Sequence, residues 1–358
     1  MDKLLFHLEN LANLDGIASL ESQVFQYMKT HLTPYADEII SDGLGSIFGV
    51  KKSKNPNAKR VLLAGHMDEV GFMVKGINDV GSLSIYPVGG WWSQTLMSQR
   101  VRVTTNDGRV YQGAIGSIPP HLLTEAKRNA VVDIADLLVD VGATSKQEVL
   151  DMGINLGDMV VLDGAFVYLN EHRILSKALD NRYGCAMSLA MLEAFKDVEL
   201  PFDLIAGATV QEEVGLRGAQ TAAVLTQPDI AIVYDCSPAN DAGGDKDVLG
   251  KLGAGVLLRF VDASMLPNRC MIERLKQTTI QHELPHQYYL SLGGTDAGAI
   301  HKAHMGVPTL TMCICARNIH TSSSICDVND LKAAYHASLH FIGELNENAI
   351  NDMIKCNQ

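Results

Sequence analysis

Four strand-length apolar runs in this chain each lead into a carboxylate or an imidazole. Residues 61–65 lead into His66, Asp68 and Glu69, and residues 204–210 into Glu212 and Glu213. Residues 230–234 stop at Asp235, and 309–315, apolar apart from its threonines, is soon followed by His320. A further acid, Asp180, stands just before a helical stretch at 183–195. Short continuous apolar runs are what fully buried strands look like. In an open α/β sheet, sites form outside the carboxyl ends of the strands. The pattern points to an α/β fold with its chemistry along one edge of the sheet.

The types of residue at those ends define that chemistry. Glu212 and Glu213 are adjacent, and neighbouring side chains on an extended chain point in different directions. One can hold a metal while the other carries a proton, the division of labour that metal-assisted hydrolysis needs. His66, Asp180, Glu213, Asp235 and His320 are enough donors for two zinc-like or cobalt-like ions. If one carboxylate bridges, each ion has three protein ligands and room for a water. Taken singly, each residue has a plainer explanation. Asp180 can cap a helix, Asp235 before Cys-Ser-Pro can start a turn, and a Glu-Glu pair can open a loop. Their recurrence at strand ends favours the site.

Organisation along the chain follows from the same patterns. Helical apolar spacing runs from Leu4 to about Thr33, and two short strands flank the turn Ser41-Asp-Gly-Leu-Gly. From about Val70 to Phe166 the character changes to short alternating runs, with a hairpin signal at Asn106-Asp-Gly-Arg. Helix–strand alternation resumes at Asp180. We expect a mixed-sheet α/β/α domain formed by residues 1–69 and 167–358. A smaller β-rich domain at 70–166, a barrel or PDZ-like unit, interrupts it.

Several longer motifs resemble one family in order and spacing, over nearly the whole chain. They are His66-Met-Asp68-Glu-Val-Gly-Phe, Lys177-Ala-Leu-Asp180-Asn-Arg-Tyr-Gly and Val210-Gln-Glu212-Glu213-Val-Gly-Leu-Arg-Gly. Asp235-Cys-Ser-Pro, Gly293-Gly-Thr-Asp-Ala-Gly and Ala316-Arg-Asn-Ile-His320 complete the set. The chain is similar to the M42 metallo-aminopeptidases, and most of all to the glutamyl aminopeptidases among them. The resemblance implies a di-metal exopeptidase in which His66, Asp180 and Asp235 hold one ion. Asp180, Glu213 and His320 would hold the other, Glu212 would be the general base, and Asp68 would orient His66 through its second nitrogen. It implies zinc or cobalt, with manganese an alternative, and peptide substrates. The β-rich insert would serve oligomerisation, in dimers that build tetrahedral dodecamers. Departures at 15–21 and at Thr-Ser-Ser-Ser after His320 bear on substrate choice more than on the metal centre.

Substrate preference is a separate question. An acidic side chain on the substrate calls for a fixed cation, and Arg suits carboxylate through its planar fork. Arg259, in the apolar run at 255–260, is the candidate; pairing with Asp262 is the competing reading. Glu69 and Asp296 are candidates for the substrate amine; holding a metal ligand in place or forming a turn are their alternative roles. His121, in a charged stretch beside a double proline, receives no catalytic role. Trp91-Trp92 fits either an interface or a corner of the β-rich core. Rival functions are a metal-dependent deacylase acting on non-peptide amides and a non-catalytic peptide-binding scaffold.

Charge and composition narrow the partners. The net charge of −12 argues against nucleic-acid binding. No run approaches the ~18 apolar residues of a membrane span, and the N-terminus lacks the pattern of a secretory signal. The expectation is a cytoplasmic enzyme that neither binds nucleic acid nor enters a membrane. Seven cysteines at irregular spacings agree, several in apolar stretches where free cysteine packs as a small hydrophobe.

Overall fold

A computed structural model describes residues 1–245 and 247–357. Two helices open the chain, α1 (Asp2–Asn13) and α2 (Ser22–Leu32). Each buries one stripe: Leu4, Leu8 and Leu11 on α1, and Val24, Met28 and Leu32 on α2. The single helical stretch expected from Leu4 to Thr33 is therefore broken. The break at 14–21 carries Asp15 to Arg102 and buries Ile17, contacts that a continuous helix could not make.

The chain then forms β1 (Glu38–Ser41), β2 (Ile47–Lys51) and β3 (Lys59–His66). Next come β4 (Gly71–Ile77), β5 (Leu83–Val88), β6 (Arg100–Thr104) and β7 (Val110–Ile115). A short α3 (Glu125–Arg128), β8 (Leu138–Asp140), α4 (Lys146–Asp151) and β9 (Met159–Leu162) follow. Strands β4 to β9 close into a barrel in the order β4-β5-β8-β7-β6-β9. Alternate residues fill it, among them Phe72, Val74, Ile85, Val101, Val103 and Val160. Of the two readings for the insert, the barrel is the one observed. Trp91 belongs to its core, stacked on Phe72 at 4.6 Å, whereas Trp92 is 64% exposed.

After the barrel come β10 (Val167–Tyr168), β11 (Arg173–Ser176), α5 (Leu179–Ala194) and β12 (Phe202–Thr209). The path continues through α6 (Arg217–Thr226), β13 (Ile230–Ala239), β14 (Val256–Val261) and α7 (Arg269–Gln281). It ends with β15 (His286–Leu290), α8 (Ala297–Ile300), β16 (Thr309–Arg317), β17 (Ser324–Asp327), α9 (Val328–Gly343) and α10 (Glu347–Lys355). One mixed sheet runs β1-β2-β12-β3-β13-β16-β17-β11-β10, with β14 joined to β16 and β15 to β14.

The four central strands, β12, β3, β13 and β16, are parallel. Their carboxyl ends therefore share one edge. Helices α1, α5, α7 and α9 cover one face of the sheet, and α6 and α8 the other. Helix α5 lies unusually close to β3, because Gly65 faces Gly184. A Cβ on Gly65 would collide with the backbone of Gly184. That approach sets the start of α5 beside the end of β3.

Two cysteines, Cys270 and Cys356, form a disulfide between α7 and the residue after α10. Their separation of 86 residues in sequence hid the pairing. The other five cysteines are unpaired and buried. Among the described residues, no helix is long and apolar enough to cross a membrane.

Candidate metal centre

His66 is the last residue of β3, and Thr209, its register partner on β12, directly precedes the turn bearing Glu212 and Glu213. Asp235 was expected where its strand stops, but it lies inside β13. That strand stays paired with β16 as far as Ala239↔Arg317, so the ladder outlasts the apolar run. Asp180 sits at the start of α5, and His320 follows β16. Gln211 and His320 hold left-handed φ values of 55° and 59°. Few non-glycine residues adopt that region. It bends the chain so that the carboxylates and His320 turn toward one point.

Asp180 is at the middle. One of its carboxylate oxygens lies 3.2 Å from His66 Nε2, and the other lies 3.3 Å from His320 Nε2. Asp235 is 3.8 Å from His66 Nε2, and Glu213 is 3.4 Å from His320 Nε2. The ligand atoms of His66, Asp180 and Asp235 all lie within 4.8 Å of one another, as do those of Asp180, Glu213 and His320. These are the two donor sets expected from the sequence, and they share Asp180. Glu212 stands at the same place, 3.8 Å from His66 Nε2.

Both imidazoles are oriented from behind. His66 Nδ1 pairs with the backbone carbonyl of Asp68 at 2.9 Å, and His320 Nδ1 with that of Gly90 at 2.9 Å. A carbonyl can only accept, so Nδ1 carries the proton and Nε2 is left as a ligand atom. Gly90 lies between the barrel strands β5 and β6, so the barrel segment helps to orient a residue that follows β16.

The expected role of Asp68 changes in detail. Its carboxylate lies 3.5 Å from His66 Nδ1, farther than its own carbonyl. Instead it accepts the backbone amides of Glu212 at 2.9 Å and Glu213 at 3.0 Å. Nothing in residue spacing announces a carboxylate that clamps two successive amides.

The charges do not balance within the cluster. Four carboxylates face two imidazoles, nearly all out of reach of solvent. Burial pushes Glu212, Glu213 and Asp235 up, and neighbouring carboxylates add to the shift. Burial opposes a charged His320, yet Asp180 and Glu213 raise it to about 11. His66 is raised in the same way, against burial, by Glu212, Asp180, Asp68 and Asp235. Asp180 moves the other way: despite burial, the His320 and His66 imidazoles beside it hold it well below the usual carboxylate range. Buried anions in excess require cations or bound protons. Oxygen and imidazole donors at this spacing suit divalent ions of the zinc class.

A cavity of about 270 Å³ opens onto the cluster and is also lined by Arg259, Ser291 and Gly293. Arg259 is 1% exposed and pairs with Asp262 at 2.9 Å. It also donates to the Gly293 carbonyl at 2.7 Å and to Ser237 Oγ at 3.0 Å. The structural pairing weighed from sequence is therefore present, while the guanidinium still forms part of the cavity wall. A second cavity of about 560 Å³ adjoins at His320 and Ile319 and includes Trp92 and Met97.

The two candidates for the substrate amine do not line the first cavity. Glu69 is committed to Lys177 at 2.6 Å and Arg182 at 3.2 Å, all three side chains buried. Asp296 is 1% exposed and accepts from Thr209 Oγ1. His121 is exposed in the short turn Pro120–Leu122 of the insert.

Comparison with known proteins extends the likeness beyond the site. A family model described as M42 glutamyl aminopeptidase matches residues 45–336. The glutamyl aminopeptidase of Lactococcus lactis subsp. cremoris (strain MG1363) is 38% identical over 355 residues, 98% of this chain and 99% of that protein. A TET aminopeptidase from the marine sediment archaeon Thaumarchaeota archaeon SCGC AB-539-E09 superposes with a TM-score of 0.93 at 35% identity. It covers 98% of this chain and 99% of its own. The TET1 peptidase of Pyrococcus horikoshii, which can assemble into a tetrahedron or a large octahedral shell, has a TM-score of 0.84 at 29% identity. The match spans 96% of this chain and all of the other.

Proposed function

The chain belongs to the M42 glutamyl aminopeptidase family, and from that premise we propose that it releases N-terminal residues from peptides at a centre for two divalent ions. The observation that carries the two-ion reading is Asp180, whose two oxygens each face a different imidazole, at 3.2 and 3.3 Å. His66 and Asp235 complete one ligand set, and Glu213 and His320 the other. Ions of the zinc or cobalt class fit these donors, with manganese an alternative. When bound, they polarise the scissile carbonyl and make a water acidic enough to ionise near neutral pH.

The protein supplies the rest. Glu212 takes the proton of the attacking water and delivers it to the leaving amine. Glu212 must be ionised to accept that proton, and cations bound beside it would favour the ionised form. The Asp68 clamp fixes the backbone at Glu212, so its carboxylate is set before substrate arrives. The cavity receives the first residue of the peptide. Arg259 in its wall favours an acidic side chain there, in keeping with the name of the Lactococcus relative. The adjoining cavity beside Trp92 offers a path for the rest of the peptide. The chain works as a homo-oligomer, a reading supported by its likeness to the Pyrococcus TET1 peptidase.

A panel of aminoacyl-anilides tests the proposal: Glu, Asp, Leu, Lys and N-acetyl-Glu, with metal-loaded and chelated protein. Metal-dependent cleavage of free Glu and Asp substrates is expected, with N-acetyl-Glu resistant. Preference for Leu or Lys would remove the acidic pocket and keep the aminopeptidase. Cleavage of N-acetyl-Glu would replace the aminopeptidase reading with a deacylase.

A further inference from the structure

A second group of metal-type donors lies away from the cavity, where α7 ends against α9. His282 follows the last residue of α7, and its Nε2 is 2.7 Å from Glu344 Oε1. His340 lies in the last turn of α9, and its Nδ1 is 3.9 Å from the same oxygen. The two imidazole rings stack with centroids 3.5 Å apart and planes 9° from parallel. A ligand atom from each of the three residues lies within 4.8 Å of the other two. All three side chains remain open to solvent, at 24%, 38% and 39% exposure.

The arrangement has the features of a chelating site. His340 and Glu344 are four residues apart, which places both on one face of the helix end. The third donor comes from a different element, so the three converge from two sides. Two imidazoles and a carboxylate are the donor types of three-ligand zinc sites that keep a fourth position open. Stacked as they are, the rings hold their lone pairs in parallel planes, so binding an ion requires them to turn toward each other about χ2, whose well is broad in histidine. Arg274 nearby donates to the Glu344 backbone carbonyl, which leaves the Glu344 carboxylate to the two imidazoles.

We propose that His282, His340 and Glu344 bind one divalent transition-metal ion of the zinc class, separate from the catalytic centre, and that it clamps the end of α7 to α9. The start of α7 is already tied to the end of α10 by the Cys270–Cys356 disulfide. The ion gives α7 a second fastening, at its opposite end. The inference is independent of the catalytic reading.

The test is to dialyse the wild-type protein, His340→Ala and Glu344→Gln against micromolar zinc at one pH, and then measure zinc per chain and the melting temperature. The wild type is expected to hold one zinc more per chain than either variant. Zinc should raise its melting temperature more than theirs, and peptidase turnover should be the same in all three. Glu344→Gln keeps the shape of the side chain, so it carries the comparison if His340→Ala does not fold. Equal zinc content and equal zinc-induced shifts in all three proteins would overturn the site. The test subtracts one protein from another, so it does not depend on how many ions the catalytic centre holds.

Discussion

The Asp68 carboxylate holds the backbone amide of Glu212 at 2.9 Å through one oxygen, while its other oxygen holds the next amide, of Glu213, at 3.0 Å. The first strand end of the site thus sets the geometry of the second. Asp68 itself is buried and absent from the cavity lining. Its influence on chemistry passes through those two amides and through the carbonyl that orients His66.

Asp68→Asn should therefore impair catalysis without removing a ligand. The amide can accept from one N–H, but its own NH₂ faces the other. Support residues of this kind typically change metal affinity or activity by ~10–100-fold. The expected result is a fall in kcat or in metal affinity, with KM for the anilide changed far less. Wild-type kcat together with wild-type metal content would show that the clamp does not matter.

Glu212→Gln should leave the ions in place and stop the reaction. General acid–base groups contribute ~10²–10⁴-fold, and turnover should drop by that order. Metal content by elemental analysis separates the two roles open to Glu212. Its carboxylate oxygen is close enough to the ligand atoms of His66 and Glu213 to be a ligand itself. Loss of an ion along with activity would make it one, and the base would have to be sought elsewhere.

Much of this arrangement is visible in the order of residues, for a physical reason. A strand buried on both faces must be apolar, so its end is marked by the first polar residue. His66 and the Glu212–Glu213 pair stand out in that way. Asp235 is found by the same rule, although its strand runs on to Ala239, because pairing with β16 does not need apolar side chains. What depends on folding in three dimensions leaves no periodic trace. The Asp68 clamp, the Gly90 carbonyl behind His320 and the Glu69–Lys177–Arg182 cluster are contacts between distant segments. The break between α1 and α2 leaves no mark in the sequence, because apolar spacing continues through it. It is fixed by Asp15 reaching Arg102 in the barrel.

Arg259→Met should separate specificity from stability. Removing the guanidinium leaves Asp262 buried without its ion partner, a change that typically costs about 3–5 kcal/mol. Part of that loss should be spared, because Asp262 also accepts hydrogen bonds from Ser264 and Thr295. A lower melting temperature is therefore expected whatever Arg259 does for substrate. The diagnostic quantity is the ratio of kcat/KM for Glu-anilide to that for Leu-anilide, measured well below the melting temperature. It should fall about tenfold or more if the cation reads an acidic side chain, in line with the strength of charge-assisted hydrogen bonds. Equal losses on both substrates would leave Arg259 a structural residue alone.

Glu69→Ala tests the buried cluster behind Asp180. It leaves Lys177 paired with Asp15 at 3.2 Å, and among the described residues it takes from Arg182 the one carboxylate in contact with it. Breaking such a pair costs about 3–5 kcal/mol. Denaturant unfolding should show a loss of that order. A loss below roughly 1 kcal/mol would mean that the cluster is solvated in practice.

Acid sensitivity should have one identifiable source far from the metal centre. His7 on α1 is 3% exposed, and its Nδ1 lies 2.9 Å from the Tyr27 hydroxyl on α2. Burial, helped by His31 and Lys3, lowers it from 6.5 to about 4. In the unfolded chain the same imidazole takes up its proton near pH 6.5. The folded state therefore binds fewer protons between those values, and stability falls as the pH drops through that window. The contribution is fully present above pH 6.5, and the full displacement corresponds to roughly 3 kcal/mol. His7→Gln keeps a polar partner for Tyr27 and cannot titrate. Melting temperatures of the two proteins, measured from pH 7.5 down to 4.5, should diverge, with the wild type losing more stability on the acid side. Carboxylates that respond to acid are common to both proteins and cancel in the difference. Parallel curves would show that His7 charges in the fold as readily as in the open chain, and that the α1–α2 contact gives way around it.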